Sequence, residues 1–277
     1  MHLYTQPRGG LGNQLFQYAA ALYFAQKHQA MLEILPIPQD LTASAGHPRP
    51  FLLSKFALSH PIQPNPLPST HYSEPESLQW TFHPNLDLPE TVTLEGHFQA
   101  WQYPAAVEPK LRRELILHHP PTGLNAQALQ QIHAAETPVS IHLRRGDYTQ
   151  AIEGSAPLPI TYYRNAVDTL HRQVPKPTFF VFSDDIAYAR EYLPGALGLL
   201  AGSMLFLAHN NDHNSHEDLR LMSACHHHII ANSTFSWWGA WLNPSPTKIV
   251  LTPEEWMKPS MPHPDVIPPK WLRIPTR

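Results

Sequence analysis

The sequence predicts an α/β protein built on a parallel, doubly wound sheet. Three observations lead there. Short apolar strands alternate with helical patterns through the second half. A glycine-rich loop near the start opens directly onto a helix. In the middle, a strand runs straight into two adjacent arginines, and functional groups of α/β folds gather at such strand ends.

The chain has 277 residues, which fits one large α/β domain or two of ordinary size, and 42% are hydrophobic, enough for a real core. The formal net charge is -3, so composition makes no electrostatic case for nucleic acid. The 31 prolines fall mostly in the first half and predict stiff, extended loops. The single cysteine, Cys225, cannot form an internal disulfide and sits in an apolar helical pattern, as a core thiol would. Met1 to Arg8 shows no apolar run after a basic start, so it does not read as a signal peptide. No stretch approaches the ~20 apolar residues needed to span a bilayer. The expectation is a soluble, cytoplasmic protein.

In chain order, Gly9-Gly10-Leu11-Gly12-Asn13-Gln14 crowds three glycines at the start of a helix running to Lys27, with Leu15, Tyr18, Ala19, Leu22 and Phe24 to Ala25 as its apolar stripe. Bare N–H groups at such a start form an anion site or simply a tight turn. The spacing is neither that of a dinucleotide fingerprint nor that of a Walker loop. Asn13 and Gln14 stand where side-chain amides reach a ligand. Met31 to Leu35 reads as a buried strand. Pro36 to Pro89 reads as loops with one or two short helices. Thr91 to Glu95 alternates as a strand and delivers Gly96, His97, Phe98, Gln99 and Trp101 at its carboxyl end. Val107 to Leu117 reads as a helix. The His118-His119-Pro120-Pro121 run is the candidate linker, dividing the chain into residues 1–122 and 123–277.

Asn125 to Ala135 predicts a helix. Val139, Ile141 and Leu143 alternate as a half-buried strand that ends in Arg144-Arg145-Gly146-Asp147-Tyr148. Paired guanidiniums suit phosphate or carboxylate, and Asp147 can fold back onto one of them. The alternative is a surface salt bridge of little worth. The Arg-Gly-Asp tripeptide also matches a cell-adhesion motif, but three residues recur by chance. Thr161 to Gln173 is a helix. Thr178 to Phe182 is a buried strand ending in Ser183-Asp184-Asp185, where Asp serves equally well as a helix cap. Ser203 to Leu207 is a strand, Ser215 to Cys225 a helix, and Ile229 to Ala231 a strand. That strand leads through Asn232-Ser233-Thr234-Phe235-Ser236 into a helix to Leu242. The turn offers hydroxyls together with a helix N-terminus, a phosphate site or a plain cap. Thr247 to Leu251 is the last strand.

His226-His227-His228 invites a metal reading, but His227 would point away from its neighbours in a strand and no further cluster has ligand spacing. No Asp-x-Asp triplet occurs, so the paired-carboxylate device for a nucleotide-sugar metal is absent. No Gly-x-Ser-x-Gly elbow occurs either. The arginines, the hydroxyl-bearing helix start and the glycine loop would together suit a diphosphate, neutralised without a metal. Phe98, Trp101, Tyr148, Phe235 and Trp237 could stack on a base or a sugar.

The blocks Gly9 to Tyr18, His142 to Tyr148 and Asn232 to Trp241 resemble those of the bacterial α-1,2-fucosyltransferases, in family order and across nearly the whole chain. The resemblance implies a GT-B fold, with two Rossmann-like domains facing across a cleft. Residues 1–122 would form the acceptor-side domain and 123–277 the GDP-fucose-binding domain. It implies GDP-β-L-fucose as donor and a galactose-terminated oligosaccharide as acceptor. Inversion at the anomeric carbon, no metal cofactor, and cytoplasmic work with room for peripheral association at the inner membrane face also follow.

By resemblance, Arg144, Asp147 and Asn13 are the catalytic candidates, with Arg144 on the β-phosphate and Asp147 orienting it. Gly10, Asn13, His142, Arg144, Ser183, Asp184, Asp185, Ser233, Thr234, Phe235 and Ser236 would line the donor. Gln14, His97, Gln99 and Trp101 would line the acceptor. His97 stands where the family more usually has Tyr. The general base stays open among Asp147, His97, His142 and a donor phosphate oxygen. The rival readings are a glycan-binding protein that keeps the fold, and a transferase for another GDP-sugar or linkage.

Overall fold

The structure is a computed structural model that describes residues 1–36, 43–44, 47–63, 68, 70–146, 156–199, 201–257 and 264–276. The chain divides into two compact units, Met1–His119 with His263–Pro268, and Pro120–Pro262 with Pro269–Arg277. The chain thus parts inside the His-His-Pro-Pro run. A short C-terminal segment returns to the first unit, which a division at one point of the sequence does not anticipate.

The first unit opens with β1 (His2–Thr5), α1 (Leu11–His28) and β2 (Met31–Ile34). A small antiparallel pair follows, β3 (Ala43–Ser44) and β4 (His47–Pro48). Then come β5 (His71–Ser73), β6 (Thr91–Glu95), α2 (Gln102–Ala106) and α3 (Glu108–Glu114). Four strands form one parallel sheet in the order β2-β1-β6-β5. Strand β5 was not expected: His71–Ser73 lies in the Pro-rich stretch and carries no alternation, and its pairing to β6 alone makes it a strand. Helix α1 is buried around nearly its whole circumference rather than along one stripe. Ala19, Ala20 and Ala21 in mid-helix let neighbours approach closely on every side.

The second unit runs α4 (Gly123–Ala134), β7 (Pro138–Leu143), α5 (Ile160–His171), β8 (Thr178–Ser183), α6 (Ile186–Leu197), β9 (Met204–Leu207), α7 (Ser215–Ala224), β10 (His227–Ile229), α8 (Thr234–Leu242), β11 (Val250–Pro253) and β12 (Leu272–Ile274). Its six strands are all parallel, in the order β12-β11-β10-β7-β8-β9. The expected half-buried strand is fully buried along all of β7. Helices cover both faces of a doubly wound sheet, so both sets of alternating side chains face protein. Val139, Ile141 and Leu143 join a core with Tyr162, Tyr163 and Leu193. On the other face Ala128 and Ile132 pack with Phe180, Phe182, Leu221 and Met222. Cys225 is a buried free thiol.

Of the histidine run, His228 is sealed in the core: its Nδ1 lies 2.8 Å from Ser140 Oγ, and Asn243 Nδ2 donates to its Nε2 at 2.9 Å. His227 Nδ1 accepts from Ile249 N–H at 3.0 Å. Two of the three imidazoles are therefore structural acceptors. Among the described residues no group of three or more His, Cys, Asp or Glu is placed to hold a metal, and no helix is long and apolar enough to cross a membrane.

Candidate functional site

In the second unit the chain passes from β7 to β8 and β9 on one side, then returns to lay β10 against the other edge of β7. The order reverses between β7 and β10, and ligands of open α/β sheets bind outside the carboxyl ends of the strands at such a switch point. Two loops meet there. The first, after β7, carries Arg144, Arg145 and Gly146. The second, after β10, leads through Ser233, the N-cap residue of α8, into that helix.

Arg144 Nη1 lies 3.0 Å from Asp184 Oδ2. The same carboxylate accepts the backbone N–H of Arg145 at 2.9 Å and of Gly146 at 3.0 Å. Asp184 thus fixes both the side chain and the loop that carries it. Asp185 accepts from Tyr188 N–H, capping α6, and meets Arg145 Nε at 3.3 Å. The Arg145 guanidinium lies flat on the Tyr188 ring, 3.4 Å from its centroid. Stacking plus an ion pair hold this arginine against the start of α6. Ser183 Oγ accepts from Asp185 N–H at 3.0 Å. Ser183, Asp184 and Asp185, expected to line the donor, hold the arginine loop and the start of α6. Asp147, expected to orient Arg144, and Tyr148 lie outside the described residues. Among those described, Asp184 does that orienting.

His142 is buried, and among the described residues its Nδ1 has no hydrogen-bond partner. Burial, with Arg144 nearby, pushes its pKa down to about 4, so the ring is neutral near pH 7. Its ring meets Phe235 edge-on, with centroids 5.9 Å apart, which joins the two loops. An orphaned buried nitrogen at a switch point suits a ligand contact. Ser236, expected at the phosphates, is buried, and its hydroxyl is oriented towards Ser233 O and Ala231 O. Its side chain stabilises the first turn of α8. The backbone N–H groups of that turn, the positive end of the helix, are what remains for an anion.

One cluster beside this sheet was not read from the sequence. Asp218, in the first turn of α7, accepts from Asn210 Nδ2 at 2.6 Å, and Asn210 exchanges hydrogen bonds with Asn125. Burial raises the Asp218 carboxyl to about 6. Asn125 lies 85 residues before Asn210, so no local spacing signals the cluster.

The first unit has its own switch point, between β1 and β6. Gly9, Gly10 and Asn13 follow β1, and Gly96 to Gln99 follow β6. Asn13 Oδ1 accepts from Gln99 Nε2 at 3.1 Å, and Gln99 Oε1 accepts from the Trp80 indole N–H at 3.1 Å. His97 is exposed. Its backbone N–H and that of Phe98 donate to Glu74 Oε2 at 2.7 and 2.9 Å. Gly96 leaves the room this needs, since a Cβ there would lie 2.4 Å from Glu74 Cβ. Burial raises the Glu74 carboxyl to about 6. Trp101 is half-buried, and its N–H donates to Asp265 O at 2.8 Å.

Gln14, expected on the acceptor side, has a structural place of its own. It is buried, donates to Gly9 O and Pro50 O, and accepts from Leu52 N–H. Its amide ties α1 to the following loop. Glu74, Trp80 and Asp265 were all missed, because none stands in a periodic or glycine-marked segment.

The sequence profile of glycosyl transferase family 11 matches residues 2–274. An α-1,2-colitosyltransferase of Escherichia coli is 30% identical over 287 aligned positions, covering 96% of each chain. Galactoside α-(1,2)-fucosyltransferase 1 of Homo sapiens is 25% identical and covers 97% of this chain and 73% of its own. Among solved structures, fucosyltransferase NodZ from Bradyrhizobium superposes with a TM-score of 0.55 at 13% identity, over 88% of this chain and 94% of its own. The α-1,6-fucosyltransferase NodZ soaked with GDP-fucose gives 0.57 at 14%, over 88% and 93%. At that identity the likeness speaks for the fold alone, and the fold is GT-B.

Proposed function

Because the chain belongs to glycosyl transferase family 11, we propose that this glycosyltransferase moves L-fucose from GDP-β-L-fucose to the 2-hydroxyl of a terminal β-galactoside, with inversion at fucose C1. The observation that carries the reading is Arg144, locked by Asp184 at the switch point beside the positive end of α8. The galactose oxygen bonds to C1 while the bond from C1 to the β-phosphate oxygen breaks, its electron pair leaving with GDP. The transition state resembles an oxocarbenium ion with charge building on the phosphate, so a pre-set guanidinium and helix N–H groups lower the barrier directly. They supply the positive charge that a divalent cation would otherwise bring, and no metal is assigned. The hydroxyl proton passes to His97 or to a phosphate oxygen of the departing GDP. Asn13 contributes from the first turn of α1 in the first unit, whose switch point is assigned to the acceptor side.

A second donor has its own support, since the relative that is 30% identical is named for colitose transfer. Colitose is fucose without its 3-hydroxyl, and the leaving-group chemistry is the same.

The test is GDP release from GDP-fucose and from GDP-colitose, with and without lactose, in EDTA. Lactose-dependent release from GDP-fucose that survives EDTA, with a product cut by an α-1,2-fucosidase, is the expected result. Release only from GDP-colitose would move the reading to the second donor. Binding of neither donor would overturn both.

A further inference from the structure

We infer that Glu74 is a positioning residue for transfer to the acceptor: it clamps the turn from Gly96 to Gln99 in a strained form that sets where the His97 imidazole stands. The strain lies at Phe98, whose φ is 49°, in the left-handed region. That region is unfavourable for a residue with a Cβ, and most of all for a bulky one. Among the described residues two other non-glycine residues share it, Gln29 and Lys176, and both are exposed and polar. Phe98 is aromatic and buried. A glycine or an asparagine would make the same turn at less cost. Residues held in this way persist only where the surroundings over-determine them, and they gather at ligand clamps and active sites.

Phe98 is held from both its side chain and its backbone. Its ring meets Phe24 and Tyr103 edge-on, with centroids 6.4 and 6.0 Å apart. Its N–H donates to Glu74 Oε2 at 2.9 Å, beside that of His97 at 2.7 Å, and its carbonyl accepts from Ala100 N–H at 2.9 Å. Glu74 is itself anchored, because its N–H donates to Glu95 O at 2.8 Å and so extends the pairing of β5 with β6. Gly96 admits the carboxylate: an added Cβ would lie 2.7 Å from Glu74 Oε2 and 2.9 Å from Phe98 Cε2. The clamp is costly to the fold. Glu74 Oε1 is buried and, among the described residues, has no hydrogen-bond partner. A turn shaped for stability alone would satisfy both oxygens or bury neither. What the arrangement delivers is the exposed His97 side chain at the carboxyl end of β6, fixed through its own backbone. The acceptor role rests on the transferase reading above; the clamp does not.

Glu74→Ala and Glu74→Gln separate positioning from packing, with Gly96→Ala as a second route to the same turn and melting temperatures recorded for each. Gln keeps an oxygen for the two N–H groups, and Ala keeps none. In Glu74→Ala, kcat/KM for lactose should fall on the order of 10- to 100-fold, the scale of a small misplacement at a reacting centre. The KM for the GDP-sugar and the affinity for GDP should stay at their wild-type values. Glu74→Gln should recover most of the loss, and Gly96→Ala should share it, because its Cβ displaces Glu74. A wild-type kcat/KM for lactose in Glu74→Ala or in Gly96→Ala would overturn the inference. So would equal losses in the Ala and Gln variants of Glu74, or a matching loss of GDP affinity, which is how a general loosening of the protein would show. Should the wild type turn over neither GDP-sugar with lactose, the functional reading fails and the clamp is judged alone by amide hydrogen exchange. The His97 and Phe98 N–H groups must then exchange about 10-fold faster or more in Glu74→Ala, but not in Glu74→Gln, and unchanged protection would refute the clamp.

Discussion

Asp184 and Arg144 form a single unit: one carboxylate oxygen lies 3.0 Å from the guanidinium, and the same carboxylate receives the two backbone N–H groups that follow it. The arginine cannot shift without its loop, and the loop cannot shift without Asp184. Preorganisation of this kind makes a charge useful in a transition state, because nothing has to reorient as the leaving group departs.

Arg144→Ala should therefore lower turnover of GDP-fucose by roughly 10²-fold or more, as loss of a charge-stabilising donor does. Asp184→Ala should follow it downward although it removes no positive charge. Steady-state kinetics decide this, and an Asp184→Ala enzyme of near wild-type kcat would end the positioning role.

Gly146→Ala tests the same unit from the other side. An added Cβ would lie 2.7 Å from Asp184 Oδ2, and Asp184 must move to admit it. The expected outcome is a loss of turnover with little change in melting temperature, since the loop is exposed while the core beneath it is untouched. Full activity in this variant would show that the loop tolerates a displaced Asp184.

Glu74 gives a pH dependence of definite sign. Burial lifts its carboxyl from 4.5 to about 6. Between those values the folded protein holds a proton that the unfolded chain has released, so raising the pH through that window costs stability, and the cost stays constant above it. Glu74→Gln removes the ionisation while still accepting the N–H groups of His97 and Phe98. Relative to wild type, its melting temperature should be higher at pH 7.5 than at pH 5. A gap independent of pH would show that Glu74 is not titrating there.

Gln14→Ala should destabilise the protein by about 1–3 kcal/mol, because Leu52 N–H and two carbonyls lose their partner. KM for lactose should stay unchanged. A raised KM at unchanged stability would return Gln14 to the acceptor.

Gly239→Ala in α8 should also destabilise, by about 1–3 kcal/mol, since its Cβ would meet Met222 Cβ at 2.9 Å and overpacked cores respond on that scale. Urea denaturation measures it directly.

Most of the second unit was legible because its strands and helices carry their own periodicities: Phe179 to Phe182 is apolar in one run, and Leu219, Leu221 and Met222 face inward from one helix. Several elements stayed hidden, β5 and β12 among them, for a physical reason. Strands β5 and β12 are three residues each, too short for an alternation to register, and they exist only because a neighbour supplies the pairing. The candidate site was legible as a set of segments, since Arg144, His142, Ser233 and Asn13 each stand beside a glycine, a strand end or a helix start. Their division of labour was not legible. Gln14 and Asn13 are adjacent amides in one helical turn, yet one is sealed inside the protein and the other is aimed by Gln99.

Local chemistry therefore determined the fold class, the glycine loop, the arginine strand end and the hydroxyl-bearing helix start, because each depends on residues within a few positions of one another. The tertiary structure decided which carboxylate holds Arg144, that Arg145 stacks on Tyr188, and which way the Asn13 amide points. Those outcomes depend on partners about 40 to 90 residues away in sequence (Asp184 and Tyr188 for the arginines, Gln99 for Asn13). Only the crossing order of the sheets brings such partners to one strand end.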